Sequence, residues 1–381
     1  MSTTVPTPAP PGTAPPAGLS VGLVHDYLLV MRGAERTFEA IGEAWPDAPI
    51  YTTVYSSEDT LGRFEDRDVR TSPLQRFGVR QDGFRRLAPA YPWAVGKLDV
   101  SEHDVVVSSS SAFAHGVRKR PGALHLCYCY TPLRYAWHER DLTRSKVPAV
   151  ARPLMDTGLD AMRRWDRRQA AEVDTYVAIS ALSRDRIFEA YGREAEIIHP
   201  PVETERFDVD DAPETEDFVL TVGEVTAHKR LDVALEGARR AGVPAKVVGT
   251  GPDMERLRAE YGETTEFLGR VDDATLPDLY SRAKAVLVPN VEEFGITAVE
   301  AQASGTPVIA TAAGGATETV VDGETGILLP TGSTAEFAEA LHDADLGAFD
   351  AHRLADQAER FSRPRFIREM REAVDRAVRA D

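Results

Sequence analysis

Two carboxylates flank the start of one helix in this chain, and their placement is the strongest chemical signal in the sequence. Glu292 stands in a short acidic loop, and Glu300 follows about a turn and a half into a helix that opens near Gly295. After Phe294, the N–H groups of Gly295, Ile296 and Thr297 open that helix and have no intrahelical carbonyl to bond. Those donors and the helix dipole favour a bound phosphate. Carboxylates that face the same crevice suit the hydroxyls of a sugar. Diphosphate at the helix start and sugar hydroxyls on Glu292 and Glu300 make one coherent site.

The elements that must hold this site are written in residues 285–310. An apolar run ends at Pro289, an acidic loop follows, the helix leaves at Gly305, and a second apolar run begins at Pro307. Strand, helix and strand in so short a stretch form a buried parallel βαβ unit. In an open α/β sheet ligands bind beyond the carboxyl ends of the strands, where this loop must lie. A plainer reading stands beside this one: Glu292 and Glu293 complement the helix dipole, and Glu300 is a solvated helical acid. It explains Glu300 poorly, because Ala298, Val299, Ala301 and Ala303 suit a helix buried on most sides, and an acid there needs a partner.

Upstream, strand and helix patterns alternate along most of the 381 residues, enough for two domains with sizeable cores. We divide the chain into a Pro-rich disordered tail (1–18), a first Rossmann-like domain (19–207), a second (208–360) and a C-terminal helix (361–381) that crosses back to the first domain. Sixty-one acidic residues against 44 basic ones exclude a general nucleic-acid binder. Residues 1–210 carry a net charge of −3 and residues 211–381 one of −14. Basic clusters in the first half, Arg118-Lys119-Arg120 and Arg163-Arg164 with Arg167-Arg168, read as solvated faces that could also dock an anionic membrane. No apolar run is long enough to span a bilayer, the start lacks the marks of a signal peptide, and two cysteines imply no disulfide scaffold, so the chain reads as cytoplasmic, with peripheral membrane contact as an option.

Other candidate positions are weaker. Gly33 lies where a first strand feeds a helix, which suits either close approach of a ligand or a tight turn. Ser108–Ser111 reads as a turn, since no triad partners can be placed around it. His125, Cys127 and Cys129 alternate along one strand face and read as core, because the spacing is not that of a zinc site. Gly249 and Gly251 lack the third glycine of a dinucleotide fingerprint and read as a strand-to-helix turn.

E-E-F-G-I-T-A-V-E-A resembles the E-x7-E motif of the family 4 retaining nucleotide-sugar glycosyltransferases, which have the GT-B fold. V-H-D-Y-L-L-V-M-R-G-A-E-R is similar to the first loop of the O-antigen-type mannosyltransferase subgroup, with Arg32 replacing the first of two glycines and Gly33 left for phosphate approach. C-Y-C-Y-T-P-L-R-Y-A-W resembles that subgroup's C-Y-C-H-T-P-M-R-Y-A-W, with Tyr130 where the His near the reacting sugar is expected. A Tyr can donate a hydrogen bond but is a poor base near neutral pH. In the loop after Gly223, Lys229 and Arg230 match a basic pair that clamps the donor diphosphate, whereas Glu224 stands where the family has Arg. Val271 matches a position that borders the nucleotide base.

The resemblance implies an α/β fold of the GT-B type, with two Rossmann-like doubly wound domains facing across a cleft. It implies transfer of a hexosyl group, with retention, from a nucleoside diphosphate sugar to a saccharide or lipid-linked acceptor. GDP-mannose is the preferred donor, and neither a cofactor nor a metal is needed. Lys229, Arg230 and the N–H groups after Phe294 would stabilise the leaving diphosphate, Glu292 would orient the donor sugar, and Glu300 would bind the ribose diol. The alternatives are a sugar-nucleotide epimerase of the same fold and a catalytically silent nucleotide-sugar-binding relative.

Overall fold

The computed structural model describes residues 18–79, 83–209, 213–272 and 274–380. The Pro-rich tail, apart from Gly18, lies outside the described residues, as does part of the acidic stretch that precedes the second domain. The described residues form two compact units, one within residues 1–178, 183–198 and 366–381 and one within residues 179–182 and 199–365.

Each unit is built on one sheet. In the first, β1 (Val21–His25), β2 (Ile50–Thr52), β3 (Val69–Thr71), β4 (Val105–Ser110), β5 (Leu124–Cys129), β6 (Thr175–Ala178) and β7 (Ala195–Ile197) lie in the order β3-β2-β1-β4-β5-β6-β7. In the second, β8 (Val219–Val222), β9 (Ala245–Val248), β10 (Thr265–Gly269), β11 (Ala285–Val288), β12 (Val308–Thr311) and β13 (Gly326–Leu329) lie in the order β10-β9-β8-β11-β12-β13. The central strands pair in parallel, β1 with β4 and β8 with β11. Short runs such as A-V-L-V and V-I-A-T are buried along their whole length, as strands covered on both faces must be. The strand order reverses at β1/β4 and at β8/β11, and a crevice opens beyond the carboxyl ends of such a pair. In the second unit the loops after β8 and β11 both leave from that point.

The serine run is strand, not turn. Ser108, Ser109 and Ser110 end β4 and are buried. Each hydroxyl finds a ring from another segment: Ser108 with His125 (2.7 Å), Ser109 with His25 (3.1 Å) and Tyr130 (3.0 Å), and Ser110 with His115 (3.3 Å). Those partners satisfy the polar atoms that local propensity would send to solvent. Cys127 and Cys129 are buried in β5 as core residues.

Part of each basic cluster is engaged by the fold. Lys119 pairs with Asp174 and Arg120 with Asp104. The Arg163 and Arg167 guanidinium groups lie over the Trp137 ring at 4.8 and 4.9 Å. From Phe366 onward the last helix, Arg363–Ala380, belongs to the first unit. There Phe366 meets Tyr128 edge to face at 5.5 Å, and Arg371 donates to the Ala44 carbonyl at 2.9 Å. Among the described residues no helix is long and apolar enough to cross a membrane.

Candidate active site

The site begins with the turn that converts β11 into helix Ile296–Ala303. Gly295 caps the helix with φ +88°, a left-handed conformation that side-chain-bearing residues seldom adopt. The first main-chain bond of the turn runs from the Ala298 N–H to the Gly295 carbonyl at 3.0 Å, so the N–H groups of Gly295, Ile296 and Thr297 precede the ladder.

Glu292 sits against this helix start, its Oε2 3.8 Å from the point where a β-carbon on Gly295 would lie. Its Oε1 accepts from the Lys229 ammonium and, at 3.2 Å, from Asn290 Nδ2. The Lys229 and Glu292 side chains are 25% and 23% exposed, half-withdrawn from water and still reachable. A lysine ammonium has three N–H donors, so one spent on Glu292 leaves others for an anion. Sequence reasoning gave these residues separate duties, whereas the structure pairs them.

Two glycines hold the Glu292 loop in place. A β-carbon on Gly314 would lie 2.3 Å from the Glu292 carbonyl oxygen, and one on Gly315 would lie 2.0 Å from that of Phe294. The Gly315 N–H donates to the Glu292 carbonyl at 2.9 Å. The close backbone approach explains why both positions lack side chains. Asn290 was missed, and only its place at the end of β11 could have pointed to it.

Glu300 has the partner its buried helix demanded. Tyr280, itself fully buried, donates its hydroxyl to Glu300 Oε2 at 2.8 Å. Burial first, and the Glu300 charge second, hold the Tyr280 hydroxyl well above the usual tyrosine range, so it stays a donor.

Gly223, Glu224, Lys229, Asn290, Glu292 and Thr297 line one shallow cleft together with Leu231, Leu287 and Val288. Gly223 has φ +146°, and nothing lies within 4 Å of its absent side chain. Its carbonyl oxygen lies 1.8 Å from where a Gly249 β-carbon would be, and the Val225 carbonyl oxygen is equally close under Gly251 at 2.1 Å. Gly249 and Gly251 therefore serve packing of the β9 turn against the β8 loop. Glu224 is exposed at the rim of the cleft.

Other expected residues stand differently. Arg230 takes a left-handed conformation (φ +51°) and donates its guanidinium to the main-chain carbonyls of Pro289 (3.3 Å) and Gly332 (3.0 Å), which makes it a staple between loops. The Phe294 ring is buried and stacks on His199 at 5.5 Å, so the residue anchors the loop as well as opening the helix. Val271 packs against the apolar cluster of Val248, Tyr280, Val286 and Ala298.

Gly33 and Tyr130 belong to the first unit. Gly33 opens helix Gly33–Ala44 and accepts the Thr37 hydroxyl at 2.8 Å. Tyr130 donates to the Ala34 carbonyl at 2.9 Å, and burial pushes its hydroxyl far above the range in which it could act as a base. Asp26, which sequence reasoning passed over, is buried there and accepts the N–H groups of Ser111 (2.7 Å), Phe113 (2.7 Å) and Ala114 (2.6 Å). Among the described residues no cluster of His, Cys, Asp and Glu is arranged to hold a metal ion.

Comparison with known proteins agrees with this architecture. The "Glycosyltransferase Family 4" profile matches residues 31–206 and the "Glycosyl transferases group 1" profile residues 202–361. The D-inositol 3-phosphate glycosyltransferase of Mycobacteroides abscessus is 33% identical over 381 aligned positions, covering 87% of this chain and 78% of that one. The enzyme of that name from Streptomyces avermitilis is 28% identical over 288 positions, covering 61% of each chain, so the match spans about three fifths of that relative's length. The crystal structure of Anabaena HepE with UDP superposes with a TM-score of 0.68 at 17% identity, covering 94% of this chain and 100% of that one. Sucrose-phosphate synthase from Thermosynechococcus elongatus gives 0.66 at 17% identity, covering 95% and 100%. With two parallel-sheet Rossmann-like units and matches of this extent, the chain belongs to the family 4 glycosyltransferases of the GT-B fold.

Proposed function

We propose that the chain moves a hexosyl group from a nucleoside diphosphate sugar to a hydroxyl of a saccharide or lipid-linked acceptor, with retention of configuration. Mannose from GDP-mannose is the preferred donor on the strength of the subgroup resemblance. The observation that carries the reading is the meeting of the Lys229 ammonium and the Glu292 carboxylate at the start of helix Ile296–Ala303, in the cleft at the β8/β11 switch point. The UDP complex of the structurally similar Anabaena protein supports a nucleotide in a fold of this kind.

In this reading the diphosphate lies against the N–H groups of Gly295, Ile296 and Thr297, with Lys229 supplying the full positive charge. Arg230 acts mainly by fixing the loop that carries Lys229. Glu292, held by Asn290 and Lys229, accepts hydrogen bonds from the donor sugar. Glu300, oriented by Tyr280, takes the ribose diol. The departing phosphate receives the acceptor's proton on the face where the new bond forms, so no protein base is required and Tyr130 keeps a supporting role in the first unit. Neither cofactor nor metal enters the scheme. Glu224 at the rim repels the diphosphate and sets how far the nucleotide can slide toward β8. The protein works in the cytoplasm, with peripheral contact at the inner face of an anionic membrane.

The names of the curated relatives make an inositol phosphate a competing acceptor. The test offers GDP-mannose and UDP-glucose with saccharide, lipid-linked and inositol phosphate acceptors, and assigns the anomeric configuration of the product by NMR. Acceptor-dependent transfer with the donor's configuration preserved is expected. An inverted product, or donor turnover without acceptor as in an epimerase, would overturn the reading.

A further inference from the structure

Exposed apolar side chains concentrate in one segment of the first unit. Leu142, Val150 and Leu154 are 50%, 90% and 79% exposed. Pro148, Ala149 and Pro153 beside them are exposed too. The segment runs from a short helix (Arg140–Ser145) through a turn (Ala149–Ala151) into the start of helix Arg152–Ala170. Scattered single apolar residues are ordinary on a protein surface, but several in one short segment mark a surface that meets something apolar.

Charge narrows the choice of partner. Residues 142–154 hold Arg144, Lys146 and Arg152 and no acidic residue, in a chain whose formal charge is −17. Arg144 reaches Asp156 at 3.1 Å and Arg152 reaches the Val147 carbonyl at 3.3 Å, contacts that shape the segment without withdrawing Arg144 from the surface. Two copies of the chain meeting through this segment would set its cations against their own equivalents. A segment that carries exposed aliphatic side chains together with three cations fits an anionic bilayer, which offers hydrocarbon below and phosphates above. The clusters that charge alone had singled out, residues 118–120 and 163–168, carry no comparable group of exposed large apolar side chains, and four of their cations already meet Asp174, Asp104 and Trp137.

We infer that residues 142–154 dock the protein on an anionic membrane: Leu142, Val150 and Leu154 enter the boundary between headgroups and acyl chains, and Arg144, Lys146 and Arg152 bind lipid phosphates. The inference does not rest on the donor or acceptor of the transfer reaction.

The test sediments the full chain with vesicles of phosphatidylcholine alone and of equal parts phosphatidylcholine and phosphatidylglycerol. Binding to the anionic vesicles only, weakening as salt is added, is expected. A cation near such a surface contributes about fivefold to partitioning, so Arg144→Glu with Lys146→Glu reduces it by about 30-fold or more. Val150→Asp with Leu154→Asp removes binding, while Leu61→Asp, at another exposed apolar residue (72%), leaves it unchanged. Melting temperatures of all variants match wild type, since every site is exposed, and Val150→Ser with Leu154→Ser repeats the test if the double Asp variant unfolds. Absence of vesicle binding, or binding that survives both double variants, overturns the inference. So does sedimentation velocity showing a wild-type dimer that the Val150 and Leu154 variants dissolve.

Discussion

Replacing Gly315 with alanine drives a methyl group into the main chain of the loop that carries Glu292. The new carbon would lie 2.0 Å from the Phe294 carbonyl oxygen and 2.2 Å from that residue's carbonyl carbon and α-carbon. Ordinary contact begins at 3.4 Å, so one backbone must retreat by about 1.4 Å. Neither can do so cheaply, because Phe294 is buried on His199 and the Gly315 N–H holds the Glu292 carbonyl at 2.9 Å. Overpacking of this kind costs about 1–3 kcal/mol of stability, which a domain of this size survives. A displacement of about 1 Å at a reacting centre costs roughly a hundredfold in rate. We therefore expect Gly315→Ala to fold, to melt a few degrees lower and to lose about a hundredfold in kcat. Gly242→Ala is the control: it imposes a left-handed conformation (φ +72°) on alanine at a helix end with nothing within 4 Å, so it costs stability alone. The assay is initial-rate transfer at saturating donor, beside a thermal melt. A wild-type rate for Gly315→Ala, or an equal loss in Gly242→Ala, would refute the claim that this glycine positions Glu292.

Lys229→Met should leave the melting temperature nearly unchanged, because a half-exposed pair contributes about 1 kcal/mol or less, yet reduce turnover by about 10²–10³-fold; a rate within threefold of wild type would remove Lys229 from the diphosphate site. Tyr280→Phe deletes a buried donor to a carboxylate and should cost about 1.5–3 kcal/mol in chemical denaturation while weakening nucleotide binding, whereas an unchanged dissociation constant would separate Glu300 from the nucleotide. The pH dependence of stability has a definite sign. Burial, with the nearby His115 charge second, lowers the His125 pKa to about 3, so below about 6.5 the unfolded chain gains a proton that the folded chain refuses. Stability from this group is complete above pH 6.5 and falls by about 1.4 kcal/mol per unit as pH drops toward 3. For His115, burial alone would lower the pKa, but the Asp166 carboxylate outweighs it and raises it, so its contribution is complete below pH 6.5 and is lost at higher pH. His125→Asn should flatten the acid limb of a denaturation series by one proton, and an unaltered slope would show that His125 is protonated in the folded state.

The βαβ unit around Glu292 and Glu300 was legible because its signals are local: a buried apolar run, a glycine where the backbone turns left-handed, and small residues around a helical acid. Gly295 sits where that reading put it, at the cap of the helix. Long-range pairing was not legible. Lys229 and Glu292 stand 63 residues apart, and no pattern in either segment announces that they touch. Arg230 reads as a phosphate clamp from its resemblance to the family's basic pair, and nothing in the sequence signals that its guanidinium also bonds two main-chain carbonyls. Ser108–Ser110 looked like a turn because serine favours turns; three histidines and a tyrosine, none predictable as partners, make it a buried strand end. Gly314 and Gly315 were visible as glycines, while the reason for them lies in a backbone some twenty residues away.

The central claim is that the Glu292–Glu300 helix start binds the nucleotide sugar, and a thermal-shift screen tests it most directly. GDP, UDP, ADP and dTDP, with their common sugars, are offered to wild type and to Glu300→Ala. Ligand at 100 times its dissociation constant stabilises the fold by about 2.7 kcal/mol, enough to move a melting point by a few degrees. The account predicts that one nucleotide raises the melting temperature of wild type and fails to raise that of Glu300→Ala. An equal rise in both proteins would place the nucleotide elsewhere and contradict it.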